Sequence, residues 1–280
     1  TVALANKEVL VTAGELVMAT AAEHEAILLP VDSEPSALWQ WLEGERRNMV
    51  ARLILTASRG AFRDRSPEEL EMVTPQEALR HPTWVMGPKV TVDSATLMNK
   101  GMEAIEASWF FGVPMEQITI VMHRQSIVHS LVEFVDGTVK AVLSPPDMRL
   151  PIQYALSYPE RWDGSELPHL PWDRPWELNF APPPPEADER FPCLGLALEA
   201  GNRGGTYPAA LCGADEVAVE RFLAGEIGFM DIPRLVEAVL SRHRGKAVPS
   251  WEDIVEAEAE ARELGRAWAP STRGATWRRR

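Results

Sequence analysis

The chain has 280 residues, with 28 Lys and Arg against 41 Asp and Glu and a formal net charge of −13. Such an acidic balance excludes nucleic acid as the main partner, because no broad basic surface is left to displace phosphate counterions. Hydrophobic residues at 45% suffice for real cores, and the length exceeds one typical domain.

Only Cys193 and Cys212 occur, in no metal or disulfide spacing, which fits a reducing compartment. No signal peptide and no apolar run long enough to span a bilayer is present, so a soluble cytoplasmic protein is expected. The closing Trp277-Arg-Arg-Arg280 is too short to change the charge argument. The chain opens without Met in strand-like Thr1-Val-Ala-Leu-Ala5, which suggests that it enters a domain partway through.

Residues 1–31 read as strand, helix, strand: Val2–Leu4, helical spacing over Val11–Ala26, then the buried-strand run Ala26–Val31. Parallel βαβ units place ligand groups at the carboxyl ends of their strands. Lys7 sits at one such end and Asp32-Ser33-Glu34 at the other. In an extended segment Asp32 and Glu34 point the same way, and converging carboxylates favour a hard cation such as Mg²⁺ or Mn²⁺. The same DxE also fits a strand ending in solvent. Glu103, further along, would supply a third carboxylate if the fold brings it there.

Ser36–Glu45 is helical in pattern, with Leu38, Trp39 and Leu42 on one side. Ala51–Ala57 is a strand, and the small-residue turn Ser58–Arg63 suits either a phosphate or an ordinary tight turn. Ser66 and Thr74 each precede Pro and place Glu three residues later, the start signal of a helix. His81–Gly87 is a loop in which Trp84 and Met86 make a candidate lid; His81 by itself reads as structural or solvated. Val90–Asp93 then reads as a β-branched strand entering a helix capped by Ser94. A helix start suits a phosphate, and Asn99, Lys100 and Glu103 share one face behind it. An amide, an ammonium and a carboxylate placed so fit a phosphorylated polyol beside a divalent metal; they equally fit a capped surface helix with a Lys–Glu pair.

Ile118–Met122, Ser126–Phe134 and Val139–Leu143, with a turn at Asp136-Gly137, read as an antiparallel meander. His123 and His129 within it read as structural. Pro151–Leu156 opens a short helix. Residues 158–190 are rich in Pro and Trp, including Pro182–Pro185, and read as an extended linker pinned by its tryptophans. From Phe191 everything is helical: Cys193–Ala200, Tyr207–Leu223, Ile232–Arg242, and a helix from Ser250, with Asp253 as capping partner, to about Trp268. In the last, Trp251, Ile254, Val255, Ala261, Leu264 and Trp268 are the core candidates, and a helical bundle results.

Taken together, these segments resemble one family, 1-deoxy-D-xylulose 5-phosphate reductoisomerase. The resemblance rests on Ala5-Asn-Lys-Glu8, Leu29-Pro-Val-Asp-Ser-Glu34, Leu55-Thr-Ala-Ser58, His81-Pro82 with Trp84 and Met86-Gly87, and Asp93-Ser-Ala-Thr-Leu-Met-Asn-Lys-Gly101 with Glu103. It continues, in family order, through Gln125-Ser-Ile-Val-His-Ser130, Pro145-Pro-Asp-Met-Arg149, Arg190-Phe-Pro-Cys-Leu194 and Glu216-Val-Ala-Val-Glu220. It implies an α/β protein: the end of a Rossmann-like dinucleotide-binding domain (1–31), an α+β catalytic domain with a mixed sheet (32–157), the linker (158–190), and a C-terminal helical bundle (191–280).

The resemblance also implies roles. Asp32, Glu34 and Glu103 would bind Mg²⁺ or Mn²⁺, with Co²⁺ as an alternative. Lys7 and Ser33 would meet the substrate beside the metal, with Lys7, Glu34 and His81 as the catalytic set. Ser58, Ser94, Asn99 and Lys100 would hold the phosphate, with His81 adjacent. Trp84 and Met86 would close over the substrate, and Met86, Gly87 and Met148 would lie by the nicotinamide of NADPH. The implied reaction is rearrangement and reduction of 1-deoxy-D-xylulose 5-phosphate to 2-C-methyl-D-erythritol 4-phosphate in isoprenoid biosynthesis, by a homodimer.

There are departures. No GxGxxG occurs, so the family's amino-terminal dinucleotide domain is expected to be missing and this chain alone to bind NADPH poorly. Arg59 and Ala61 stand where Gly and Pro are expected, Pro35 where His is common, and Arg124 where Pro is. Cys212-Gly-Ala-Asp215 replaces an Asn-Ala-Ala-Asn-like run. A relative acting on another phosphosugar, a metal-dependent isomerase without nicotinamide, and a binding remnant without chemistry are the rival readings.

Overall fold

A computed structural model describes residues 1–58, 60–182 and 187–270. Arg59, most of the Pro182–Pro185 run and the Trp277–Arg280 tail lie outside the described residues. The chain divides into two compact units. The first comprises Thr1–Leu10, Gly14–Ser58 and Glu103–Pro183; the second comprises Val11–Ala13, Arg59–Met102 and Pro184–Arg280. No helix among the described residues is long and apolar enough to cross a membrane.

In the first unit, β1 (Val2–Leu4), α1 (Glu8–Glu23) and β2 (Leu28–Pro30) form the expected βαβ, with β1 and β2 parallel and Val2 opposite Leu28. Next comes α2 (Ser33–Leu42), starting three residues earlier than its apolar pattern indicates, because Asp32 serves as its N-cap. Strand β3 (Val50–Ala57) ends the Gly14–Ser58 segment of this unit.

The main sheet adds β4 (Ile118–Met122), β5 (Val128–Phe134) and β6 (Val139–Leu143), in the order β4-β3-β5-β6. The expected meander is therefore corrected. Strand β3 enters between β4 and β5, parallel to the former and antiparallel to the latter. Its apolar run explains why: Leu53 and Leu55 are fully buried, as suits a central strand covered on both faces. The hairpin at Asp136-Gly137 forms as its signal indicates, with Gly137 at φ +83° and the Asp136 side chain accepting from the Thr138 N–H at 2.8 Å. Helix α2 lies against β5 and β6, and its Leu38 is fully buried.

The proline-rich segment is pinned by means other than its tryptophans. Trp162 and Trp172 are exposed, and Trp172 packs edge-on against Trp176, with ring centroids 5.3 Å apart. What holds the segment is Phe180, stacked on His123 at 4.7 Å, and a bridge in which Met122 and Ala181 exchange backbone hydrogen bonds of 2.6 and 3.0 Å.

The second unit contains α3 (Pro67–Leu70), α4 (Pro75–Ala78), α5 (Pro88–Thr96) and the start of α6 (Met98–Phe111). Both predicted capping boxes form, at Ser66/Glu69 and Thr74/Glu77. The strand expected at Val90–Asp93 does not. Gly87 and Pro88 start a helix there instead, the Thr91 hydroxyl donates to the Gly87 carbonyl at 2.8 Å, and Val92 and Ala95 are fully buried. A β-branched run has only a weak preference for strand, which an N1 proline and burial overcome. Ser94 thus lies inside α5 and is no cap. Leu97 breaks the helix at φ +62°, and α6 restarts at once.

The remaining helices of this unit follow α7 (Arg149–Ser157), which belongs to the first unit: α8 (Ala187–Arg190), α9 (Pro192–Arg203), α10 (Tyr207–Leu223), α11 (Asp231–Leu240) and α12 (Trp251–Ala267). Helix α10 is buried nearly all round and is wrapped by α9, α11, α12 and α5. The Ser250/Asp253 box starts α12 as expected. Its core face is Ile254, Ala257 and Ala261, whereas Trp251 and Val255 are exposed, so the wide apolar stripe read from the sequence is narrower than it looked. Phe62 meets Phe229 edge-on at 4.9 Å, tying the 59–102 stretch to the helical part.

A short 3₁₀ turn, Gly60–Phe62, packs on α5. Gly60 has φ +57°, and a Cβ there would sit 2.7 Å from the Ser94 carbonyl oxygen and 2.8 Å from the Ala95 nitrogen. Backbone on backbone leaves no flexible group to yield. Gly60→Ala should therefore cost about 1–3 kcal/mol, read as a lowered urea midpoint at unchanged m-value; a midpoint equal to wild type would show that this contact is dispensable.

Candidate functional site

In the first unit, chain turns rather than an extended DxE bring the carboxylates together. Asp32 is the N-cap of α2 and Glu34 lies in its first turn, both at the positive end of that helix. Asp32 Oδ1 accepts from the Ser33 N–H at 2.9 Å, and the Ser33 hydroxyl donates to Glu34. Glu103, buried in α6, joins them: one ligand oxygen from each of Asp32, Glu34 and Glu103 lies within 4.8 Å of the others.

Lys7, at the N-cap position of α1, sends its buried ammonium into this group. It pairs with Asp32 and lies 3.2 Å from Glu103 Oε1. Burial works against its charge, but Asp32, Glu103 and Glu106 together hold its pKa well above the ordinary lysine value. One ammonium against three carboxylates leaves two formal negative charges, all on oxygen donors. That donor set fits a hard divalent cation.

Glu106 is a participant that the motif reading passed over. It lies one turn beyond Glu103, is 1% exposed, and its Oε2 has no hydrogen-bond partner among the described residues. Burial pushes its carboxyl well above the ordinary range; Lys7 opposes this, while Asp32, Glu103 and Glu34 add to it. These effects bias Glu106 toward its neutral form. The signal available in the sequence was its three-residue spacing from Glu103, which puts both on one helix face.

The residues read as phosphate-side lie in the second unit, apart from Ser58, which follows β3 in the first. Ser94 is half-buried in α5; Asn99 and Lys100 occupy the first turn of α6, and Lys100 is buried. The Thr96 hydroxyl spans the break, donating to the Asp93 carbonyl at 3.2 Å and accepting from the Met98 N–H at 3.3 Å. In the loop before α5, Trp84 and Met86 are half-buried, while Val85 and Gly87 are exposed. Met148 is the N-cap residue of α7, in the first unit.

His81 is tied into its own loop. Its Nδ1 accepts from the Thr83 N–H at 3.1 Å and the Trp84 N–H at 2.9 Å, so the neutral ring carries its proton on Nε2. Burial, then the nearby Arg63 charge, pushes its pKa down to about 4. His123 and His129 serve structure, as expected: His123 Nε2 accepts from the Ile127 and Val128 N–H groups, and His129 meets the Ser144 hydroxyl at 2.9 Å.

The depressed His81 value has a testable sign. Its contribution to stability is present above the unfolded pKa of about 6.5 and is lost as pH falls through about 4. Two-bond ¹⁵N–¹H spectra should show His81 neutral, with the Nε2–H tautomer, from pH 8 down to about 5.5. A ring that titrates near 6.5 would contradict the geometry.

The arrangement has counterparts among known proteins. A family model described as DXP reductoisomerase C-terminal domain matches residues 143–264, and one described as 1-deoxy-D-xylulose 5-phosphate reductoisomerase C-terminal domain matches residues 28–111. The chain is 52% identical over 264 residues to the 1-deoxy-D-xylulose 5-phosphate reductoisomerase of Bacillus cereus (strain AH187), covering 94% of this chain and 69% of that one. It is 55% identical to that of Pelotomaculum thermopropionicum, covering 94% and 67%. The Zymomonas mobilis enzyme solved in complex with NADPH superposes with a TM-score of 0.86 at 43% identity, over 95% of this chain and 68% of that one. A reductoisomerase solved with NADPH, fosmidomycin and magnesium gives 0.86 at 40% identity, over 94% and 68%. With identity above half and nearly the whole chain matched, the sequence and fold reach the same conclusion: this chain belongs to the 1-deoxy-D-xylulose 5-phosphate reductoisomerase family.

Proposed function

We propose that this protein takes part in the NADPH- and divalent-metal-dependent conversion of 1-deoxy-D-xylulose 5-phosphate to 2-C-methyl-D-erythritol 4-phosphate in isoprenoid biosynthesis. The observation that carries the reading is the gathering of Asp32, Glu34 and Glu103 around the Lys7 ammonium. These three carboxylates would hold Mg²⁺ or Mn²⁺. When bound, the cation supplies Lewis acidity to the substrate's ketone and neighbouring hydroxyl, and NADPH supplies the hydride.

The chain's own side chains do the rest. Lys7, whose pKa its neighbouring carboxylates hold above the ordinary lysine value, offers a positive charge and hydrogen-bond donor beside the substrate. Ser33 orients Glu34 by donating to it. Ser58, Ser94, Asn99 and Lys100 offer the hydroxyls, amide and ammonium that a phosphate needs. Neutral His81 donates from Nε2 to the same end of the substrate. The loop with Trp84 and Met86 would cover the substrate and exclude water, and the family resemblance would give Met86, Gly87 and Met148 to the nicotinamide. Two of the departures are accommodated by the backbone: Pro35 falls in the first turn of α2, where proline is tolerated, and Arg124 is exposed in a turn. The reading extends to a homodimer in a reducing cytoplasm, in keeping with two cysteines that are buried thiols.

The test is turnover of 1-deoxy-D-xylulose 5-phosphate with NADPH and Mn²⁺. Glu103→Gln keeps shape and removes charge. It should lower metal-dependent turnover by on the order of a hundredfold or more and weaken Mn²⁺ binding, with an unchanged circular-dichroism spectrum. Wild-type turnover in that variant would remove Glu103 from the metal site, and product formed without NADPH would favour an isomerase.

A further inference from the structure

A second buried charge cluster lies in the second unit, outside the residues assigned to metal, substrate or nucleotide. Asp93 of α5 is 2% exposed and Asp215 of α10 is 0% exposed. Lys89, in the first turn of α5, places its Nζ 2.6 Å from Asp93 Oδ2 and 2.8 Å from Asp215 Oδ2. Asp93 Oδ1 and Asp215 Oδ1 have no hydrogen-bond partner among the described residues. Asp215 is also the residue that stands where an Asn-like run is expected.

Two nearly fully buried acids served by one half-buried ammonium would leave a net negative charge in a poorly solvated place, which is costly. Burial, and then the Asp215 charge, push the Asp93 carboxyl well above its ordinary range, with Lys89 pulling the other way. Lys89 remains charged: burial disfavours it, but Asp215 and Asp93 outweigh that. The Cys193 thiol of α9, within reach of the Thr96 hydroxyl, is pushed up by burial and by both aspartates, and stays neutral. Asp93 is thus pushed toward its protonated form, and a proton on it would supply the donor that the orphaned oxygens lack.

Its place in the chain gives it a use. Lys89 lies two residues after Gly87, where the His81–Gly87 loop ends, and Asp93 directly precedes Ser94. Asp215 belongs to the most enclosed helix of the unit. We propose that Lys89, Asp93 and Asp215 are positioning residues that lock α5 onto α10, setting where Ser94 stands in the phosphate site and where the His81–Gly87 loop is anchored. This rests on the phosphate-site reading above. None of the three touches the ligand; they act through Ser94 and the loop.

The experiment compares wild type, Asp215→Leu and Asp215→Asn, using calorimetry with fosmidomycin in the presence of Mn²⁺, and with Mn²⁺ alone. Asp215→Leu removes the α10 half of the lock. It should weaken fosmidomycin about tenfold, as expected for a misplaced binding group, and raise KM more than it lowers kcat, with Mn²⁺ affinity unchanged. Asp215→Asn keeps shape and hydrogen bonding, so its fosmidomycin affinity should stay within about twofold of wild type.

The same variant has a pH signature. With its pKa raised in the folded state, Asp93 contributes stability that is full below about pH 4 and is lost as pH rises through the raised value. The wild type should therefore lose stability with rising pH more steeply than Asp215→Asn. If Asp215→Leu does not fold, Lys89→Met combined with Asp215→Asn removes one cation and one anion together and should show the same tenfold loss. Wild-type fosmidomycin binding in these disrupting variants, or an equal loss of Mn²⁺ binding, would overturn the proposal. If the wild type itself fails to bind fosmidomycin, the phosphate-site reading falls; identical pH profiles for wild type and Asp215→Asn would instead remove the lock.

Discussion

A buried ammonium among carboxylates is the interaction on which the metal side of the protein depends. Lys7 stays charged against the cost of burial because Asp32 and Glu103 surround it. In return it lets acids from two distant chain segments, the start of α2 and α6, approach one another. Remove the cation and the same acids face mutual repulsion in a poorly solvated place. Glu106 shows the limit of this arrangement: burial and the neighbouring acids push the next carboxyl along the helix well above its ordinary pKa. Lys7 therefore acts first as a structural stand-in for positive charge, and its readiness to meet a substrate oxygen follows from being held there.

Much of this was legible in the sequence, for particular reasons. Asp32, Glu34 and Lys7 could be named because they sit at strand ends of a βαβ pattern, and that pattern survives folding as β1, α1 and β2. The capping boxes at Ser66, Thr74 and Ser250 were legible because they are local, complete within four residues. The Asp32 and Glu34 carboxylates do converge, but through an N-cap and a first helical turn and not through strand alternation.

What escaped the sequence depends on distant contacts. Val90–Val92 have the branching of a strand, but Pro88 and the burial of Val92 make them helix. The position of β3 between β4 and β5 is a choice among pairings that periodicity does not distinguish. The tryptophans of the linker looked ready for burial, yet Trp172 finds another tryptophan instead of a core. The Lys89–Asp93–Asp215 lock joins residues more than a hundred positions apart, and only a folded chain reveals that one lysine serves both acids. The compact units are equally non-local, since residues 59–102 cluster with 184–280.

The two open borders of the main sheet are treated differently. At β4, Ala181 pairs with Met122 and is followed by Pro182, which has no N–H to pass on. At β6, Lys140 points to Glu45 and lies 5.6 Å from the Trp41 ring, placing a charge along the other border. Exposed sheet borders recruit strands from neighbouring molecules unless a charge or a proline blunts them. The proline-rich segment, which carries none of the assigned chemistry, therefore helps guard against aggregation: it ends the ladder at β4 with a residue that cannot extend it.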